Sequence, residues 1–446
     1  MIADVPAVSS PRLIPSPLAE GSGGSGRDGE EVIATYLIES YYPLAKAADV
    51  LAGEQSSGTF IAVPRETQAL QDRHRARVVE IQEYESRNTP SLPGAAKPSD
   101  NADVVNRGRI KVSFPLENFG PSLPNLMAAV LGNLFELREL AGVRLLDLDI
   151  PAAFADRYPG PAFGIEGTRK LMDVPQGVMV GTIIKPSVGL RPDELRELVR
   201  ELVAGGIDFI KDDELIANPA YSPLSERVRV VMEEIDRGAQ KTGKKTMYAF
   251  NITDDLDRML TNHDVVLKAG GTCVMACINL VGFAGVAHLR KHSALPIHGH
   301  RAMIGALMRH PALGIDFVAF QKLARLSGVD HLHTNGMDNK FYETNEEIRV
   351  SVSSVLTPLF GGYSTLPVLS SGQWAGTAQV THELIDSTDL LVLAGGGVHA
   401  HPSGPAAGVA SIRQGWEAAL AAVPLDQYAT NREPLRQAIE KFGRNR

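Results

Sequence analysis

The chain has 446 residues, of which 44% are hydrophobic and 22% charged, with a formal net charge of −8. That length exceeds one small core and suits two domains, or a barrel with an addition. The acidic balance excludes a general nucleic-acid binder, which needs a basic face for phosphates. No run reaches the roughly 18 apolar residues of a membrane span.

Residues 1–30 are rich in Gly, Ser and Pro and lack the basic start and long apolar stretch of a signal peptide, so they read as a disordered leader. Residues 31–151 read as a ferredoxin-like α+β domain. The run 32–42 alternates apolar and polar residues as a strand does, and 43–53 has helical spacing. Strand patterns follow at 59–63, 76–85 and 109–118, with a Pro/Ser/Asn-rich loop at 87–107. A helix is predicted over 122–140 and a last strand over 143–151. Strands with two helices suggest an antiparallel sheet covered on one face.

Residues 152–425 change texture. Apolar runs recur at 180–186, 209–214, 246–252, 273–279, 296–302, 331–336, 366–372 and 390–397. Amphipathic patterns lie between them, such as 191–206 and 224–243, and a last one spans 408–423. Eight strand–helix units over about 240 residues match the rhythm of a (β/α)8 TIM barrel. Residues 426–446 read as a C-terminal tail helix. The two cysteines, Cys273 and Cys277, are four apart in an apolar run. On a strand they share a face but cannot bridge, so they read as reduced and buried, which suits a cytoplasmic protein.

In such a barrel the chemistry sits at the C-terminal ends of the strands. Polar residues cluster at those ends: Lys185; Lys211 to Glu214; Asn251; His298, His300 and Arg301; His331 and His333; Ser370 to Gly372; Gly395 to Gly397. Asp213 and Glu214 offer the hard oxygens Mg²⁺ prefers. A lysine beside them either pairs with the acids or is carbamylated into a third carboxylate; a plain surface charge cluster is the competing reading. Arg301 and the glycine run suit anion handling, through a guanidinium fork and close backbone N–H groups.

The segments GTIIKPSVGL (181–190), GGIDFIKDDE (205–214), HGHRAM (298–303), DHLHTNG (330–336), LPVLSSG (366–372) and AGGGVHAHPSG (394–404) resemble, in order, the active-site segments of RuBisCO. GEQSSGTF (53–60) and LGN (131–133) match in the small domain. The resemblance covers about residues 31–425. It implies one Mg²⁺ per site, held by carbamylated Lys211, Asp213 and Glu214. It implies that Lys185 transfers protons, that His300 and His333 line the substrate, and that Thr59, Arg301, Ser370, Gly372, Gly396 and Gly397 bind its phosphate and hydroxyl groups. It also implies a homodimer with a shared active site, Glu54, Thr59 and Asn133 coming from the partner subunit.

The departures point to the RuBisCO-like, non-CO₂-fixing branch. Ser187 stands where the family's second strand-one lysine would be, Phe60 replaces a tryptophan, and GQWAG (372–376) also differs. Loop six reads TNGMDNKFYE, with Lys340 at the lid-lysine position if no gap intervenes. Asn133 replaces the base lysine of the methionine-salvage enolases. The resemblance therefore implies a small phosphorylated sugar-acid substrate, 3-oxo-isoapionate 4-phosphate, cleaved by decarboxylation or hydrolysis. The alternatives are an isomerase or enolase acting on a methylthio-pentulose phosphate, and a catalytically silent sugar-phosphate-binding regulator.

Overall fold

The computed structural model describes residues 30–58, 63–93, 96–99 and 103–443. The predicted leader, apart from Glu30, and residues 59–62 of the predicted strand 59–63 lie outside them, as does Thr59. The first part is a sheet covered by helices. Its strands are β1 (Glu31–Ser40), β2 (Arg77–Arg87), β3 (Val105–Pro115) and β4 (Gly142–Asp149). They pair antiparallel in the spatial order β4, β1, β3, β2.

Period-two burial places Val32, Ala34, Tyr36 and Ile38 of β1 on one face, all fully buried. The helix Leu44–Glu54 covers that core with Leu44, Ala47, Ala48, Leu51 and Ala52, the i, i+3, i+4 stripe of an amphipathic helix. The Tyr36 hydroxyl donates to the Val130 carbonyl (2.7 Å), so its buried polar tip is satisfied. The predicted helix 122–140 is shorter than expected. It runs Leu123–Val130, breaks at 131–133, and resumes only as a 3₁₀ turn, Leu134–Glu136. The apolar 3–4 spacing continues through the break, but Gly132 leaves no side chain there to hold the helix and favours a turn.

The second part is a closed barrel of eight parallel strands. They are β5 (Met179–Ile183), β6 (Phe209–Lys211), β7 (Met247–Asn251), β8 (Cys273–Cys277), β9 (Ile297–His300), β11 (His331–Asn335), β12 (Leu366–Ser370) and β13 (Leu391–Leu393). Every predicted barrel strand forms, though β6 and β13 stop after three residues. Their polar ends turn out of the sheet instead. Inside the barrel, Met179, Phe209, Met247, Cys273, Leu366 and Leu391 form an apolar plug. Alternate residues such as Ile210, Phe250, Val274, Leu332 and Val392 face the outer helices.

One strand is absent from the sequence reading. β10 (Leu313–Ile315) lies between β9 and β11 in the chain but pairs in parallel with β4, adding a fifth strand to the small domain's sheet. Three residues carry too little alternation to announce a strand. The junction is fastened by Arg144 of β4, only 2% exposed. Its Nη1 donates to the carbonyls of Met308 (2.7 Å) and His310 (2.6 Å), and its Nη2 pairs with Asp316 (3.0 Å). Asp316 also caps the helix Phe317–Ser327 through the Val318 N–H.

Arg144→Met leaves the Asp316 carboxylate and two carbonyls without their shared donor. The expected loss is about 3 kcal/mol, read as a thermal midpoint lowered by roughly 3 °C in a melting scan. A midpoint within a degree of wild type would show that this arginine does not fasten the junction.

Candidate active site

The C-terminal ends of the barrel strands surround a cavity of ≈ 680 Å³. Of the residues picked out in the sequence, it is lined by Lys185, Lys211, Asp213, Glu214, His300, Arg301, His333, Lys340, Ser370, Gly372 and Gly396. They come from six barrel strands and the loops that follow them. A positional rule read along the chain has therefore become a convergent site.

Its floor is Lys211, at the end of β6 and 1% exposed. The Nζ atom donates to the Asp212 carbonyl (2.9 Å) and faces Glu214 Oε2 (3.4 Å) and Met275 Sδ (3.6 Å). A thioether is a weak partner for an ammonium, and burial pushes this amine below its ordinary pKa, against the opposing pull of Glu214 and Asp213. Asp213 is buried too. Its Oδ2 accepts from Lys185 Nζ (2.7 Å), and Lys185 also donates to Ser187 Oγ (2.7 Å). The Asn251 side chain donates to the Asp213 and Glu214 carbonyls (3.4 and 3.3 Å), which fixes the turn that carries both acids.

Asp212, the remaining acid of this run, points the other way. It accepts from Arg227 (3.1 Å), the Tyr248 hydroxyl (2.7 Å) and the Asn251 N–H (2.9 Å), all buried. It anchors β6 to its neighbours and leaves three groups, Lys211, Asp213 and Glu214, at the cavity. Hard carboxylate oxygens beside an amine of lowered basicity fit a divalent oxygen-seeking cation only once that amine stops being a cation.

Four histidines stand on β9 and β11. His300 Nδ1 accepts the Ala302 N–H (3.2 Å), so its Nε2 carries the proton facing Glu214 (3.4 Å). His333 stacks edge-on against His300, with ring centres 4.5 Å apart. Burial pushes His298, His300 and His333 well below the usual imidazole range and His331 down to about 3.

Three expected residues are not at this cavity. Gly397 lies behind Gly396, in a separate recess with Trp374, Ala400 and Phe442. A Cβ there would sit 2.5 Å from the Gln373 carbonyl oxygen and 3.0 Å from Trp374 Cα, so close backbone packing demands the glycine. Asn133 is exposed on the small domain, outside the barrel cavity, as is Glu54. Arg301 lines the cavity but is not a free clamp. Its Nη2 pairs with buried Glu343 (2.7 Å), which also accepts from Asn335, while its Nη1 is buried without a partner. Glu343 and Asn335 escaped the sequence reading. The only signal for Glu343 was an acid at the far end of loop six, and its partner lies 42 residues away.

Comparison with known proteins agrees with this arrangement. Residues 164–442 match the model of the ribulose bisphosphate carboxylase large chain, catalytic domain, and residues 26–154 match that of its N-terminal domain. The chain belongs to the RuBisCO large-chain family. It is 50% identical over 412 residues to the 3-oxo-isoapionate-4-phosphate transcarboxylase/hydrolase of Xanthobacter autotrophicus, covering 92% of this chain and 99% of that one. It is 44% identical over 414 residues to the 3-oxo-isoapionate-4-phosphate decarboxylase of Rhizobium etli, covering 92% and 98%. The crystal structure of a rubisco-like protein from Burkholderia fungorum superposes with a TM-score of 0.85 at 47% identity, covering 92% of this chain and all of that one.

Within this RuBisCO-family barrel, two departures noted in the sequence have visible consequences. Ser187 receives a hydrogen bond from Lys185 instead of placing a second cation at the cavity. Loop six is tied down: Gln373 donates to the Met337 carbonyl (3.0 Å), and Asn339 donates to the Glu343 carbonyl (2.9 Å). Lys340 reaches the cavity edge beside Phe341, its Nζ 5.3 Å from that ring's centre.

The buried histidines make stability depend on acid. Unfolded, each takes up a proton near pH 6.5; folded, His331 does so only near 3. Unfolding therefore binds protons. Stability is complete above about pH 6.5 and is lost as pH falls toward 3, by about 1.4 kcal/mol per pH unit for each such group. Denaturant unfolding should show a clearly lower midpoint at about pH 5 than at about pH 7.5. An equal midpoint would mean these imidazoles are not held neutral.

Proposed function

We propose that this protein cleaves a carbon–carbon bond of 3-oxo-isoapionate 4-phosphate, through an Mg²⁺ site formed by carbamylated Lys211, Asp213 and Glu214. The observation that carries the reading is the buried Lys211 amine between two carboxylates on the floor of a cavity that also receives Lys185. Burial favours the neutral amine, and the neutral amine is the form that attacks CO₂. The N–C bond formed releases one proton and converts a misplaced cation into a third oxygen ligand. When bound, the metal supplies Lewis-acid chemistry, polarising a carbonyl and steadying negative charge on its oxygen.

The residues do the rest. A 3-oxo acid already carries its electron sink one carbon from the carboxylate. Breaking the bond leaves an electron pair as an enediolate, with the carboxyl carbon leaving as CO₂, or one acyl fragment leaving with water's oxygen. Lys185 Nζ, held by Asp213 and Ser187, delivers the proton that quenches the enediolate. His300 and His333 face the sugar hydroxyls. Arg301, Lys340, Ser370, Gly372 and Gly396 hold the phosphate and the acid group at the rim. No CO₂ has to be gripped, which agrees with Ser187 and the tethered loop six. The relatives' names do not favour the methylthio-pentulose or silent-regulator alternatives.

A homodimer completes the site. Asn133 is exposed on the small domain and absent from its own subunit's barrel cavity. On this reading the partner subunit supplies Asn133, which agrees with its position outside its own subunit's cavity.

Purified protein with Mg²⁺ should turn over 3-oxo-isoapionate 4-phosphate, with products followed by NMR. Loss of CO₂ marks decarboxylation, and two organic fragments mark hydrolysis. Chelator should abolish turnover and Mg²⁺ restore it, and Lys211→Ala should cost at least about a thousandfold in kcat. Full activity of Lys211→Ala in chelator would end this reading. Separately, Asn133→Ala and Lys211→Ala proteins, each impaired, should regain activity when subunits are mixed, because a mixed dimer holds one intact site. No recovery would place Asn133 outside the partner's site.

A further inference from the structure

An unbroken line of side chains crosses the barrel interior from the helix that packs against its apolar plug to the cavity. Thr168, in the helix Gly164–Met172, meets His331 Nε2 (2.8 Å). His331 Nδ1 meets His298 Nδ1 (3.3 Å), and His298 Nε2 meets His333 Nε2 (2.7 Å). His333 Nδ1 then meets Ser370 Oγ at the cavity wall (3.3 Å). Thr168, His298 and His331 are fully buried and His333 is 3% exposed. The Phe209 ring packs on both His298 and His331, with ring centres at 5.1 and 5.8 Å.

Proton positions along this line follow from one end. Thr168 Oγ1 is 2.5 Å from the Gly164 carbonyl oxygen, a separation two oxygens hold only with a proton between them. The hydroxyl proton is therefore committed to Gly164, and toward His331 the oxygen can only accept. His331 must carry its proton on Nε2 and leave Nδ1 bare. A neutral imidazole has one N–H, so His298 must donate from Nδ1 and leave its own Nε2 bare. His333 must then donate from Nε2, and its Nδ1 is bare. The reverse polarity would set the lone pairs of Thr168 and His331 against each other at 2.8 Å.

We propose that Thr168, His331 and His298 are positioning residues that lock His333 in its Nε2–H tautomer, so that a bare Nδ1 faces Ser370 and the cavity as the accepting atom. Burial keeps all three imidazoles uncharged, so each has only one proton to place. The opposite tautomer of His333 could only donate at the cavity. The locked one can accept a hydrogen bond from a hydroxyl of a bound sugar and so orient it, a use that rests on the function proposed above. The lock itself does not depend on the substrate.

The test reads tautomers directly. Protein labelled with ¹⁵N only in histidine rings gives two-bond proton–nitrogen spectra in which N–H and bare ring nitrogens resonate far apart. Single His→Gln variants assign the rings. Expected are Nε2–H for His331, Nδ1–H for His298 and Nε2–H for His333. Thr168→Val, nearly isosteric, should let His333 shift toward Nδ1–H, and Thr168→Ser should retain the wild-type pattern. Wild-type His333 found as Nδ1–H, or Thr168→Val and Thr168→Ser giving identical spectra, would overturn the proposal. No substrate is needed, so the outcome is independent of whether 3-oxo-isoapionate 4-phosphate is turned over.

Discussion

The burial of one amine governs the layout of this barrel. Lys211 sits at the end of a three-residue strand with almost no access to water, its Nζ facing a main-chain carbonyl, a carboxylate and a thioether. Desolvation of an ammonium is costly, and the neighbouring acids offset it only in part. Much of the surrounding structure limits that cost or redirects charge. Asp212 is drawn off to Arg227 and Tyr248, Asp213 is engaged by Lys185, and Asn251 pins the turn. A lysine in this position is poor for stability alone, which agrees with the modification proposed for it above.

The polar interior is graded along the barrel axis. A plug of Met, Leu, Cys and Phe side chains fills one end. Through it runs a line of uncharged imidazoles, His331 level with Leu366 and both His298 and His331 packed by Phe209, and above them lie the charged groups of the cavity. Because each imidazole of that line is uncharged, the polar groups threaded through the plug carry no unpaired charge. The pairing of Arg301 with Glu343 follows the same logic at the rim, where a lone buried guanidinium would be expensive.

The two parts of the chain are also joined by more than a linker. β10 leaves the barrel's own sequence to extend the small domain's sheet, and Arg144 reaches across to three acceptors. Their relative position is thereby constrained within one subunit. Such a constraint suits a site whose missing residues are proposed to come from a second copy, because a loosely hung domain would present Asn133 imprecisely.

The amino-acid sequence alone determined the order and number of barrel strands, because period-two burial and strand-end polarity are written locally. It also determined the chemical kinds present at the cavity, since Lys211, Asp213 and Glu214 are neighbours in the chain and their clustering needs no folding to be seen. It did not reveal β10, the early end of the helix at Val130, the partnership of Arg301 with Glu343, or the outward turn of Asp212. Those depend on groups that are distant in sequence or too few to form a pattern. The same holds for the histidines: His298, His331 and His333 look like separate strand-end residues until closure of the barrel sets β9 beside β11. Hydrogen bonds between strands are decided by register, and register is a property of the closed sheet, not of any one strand.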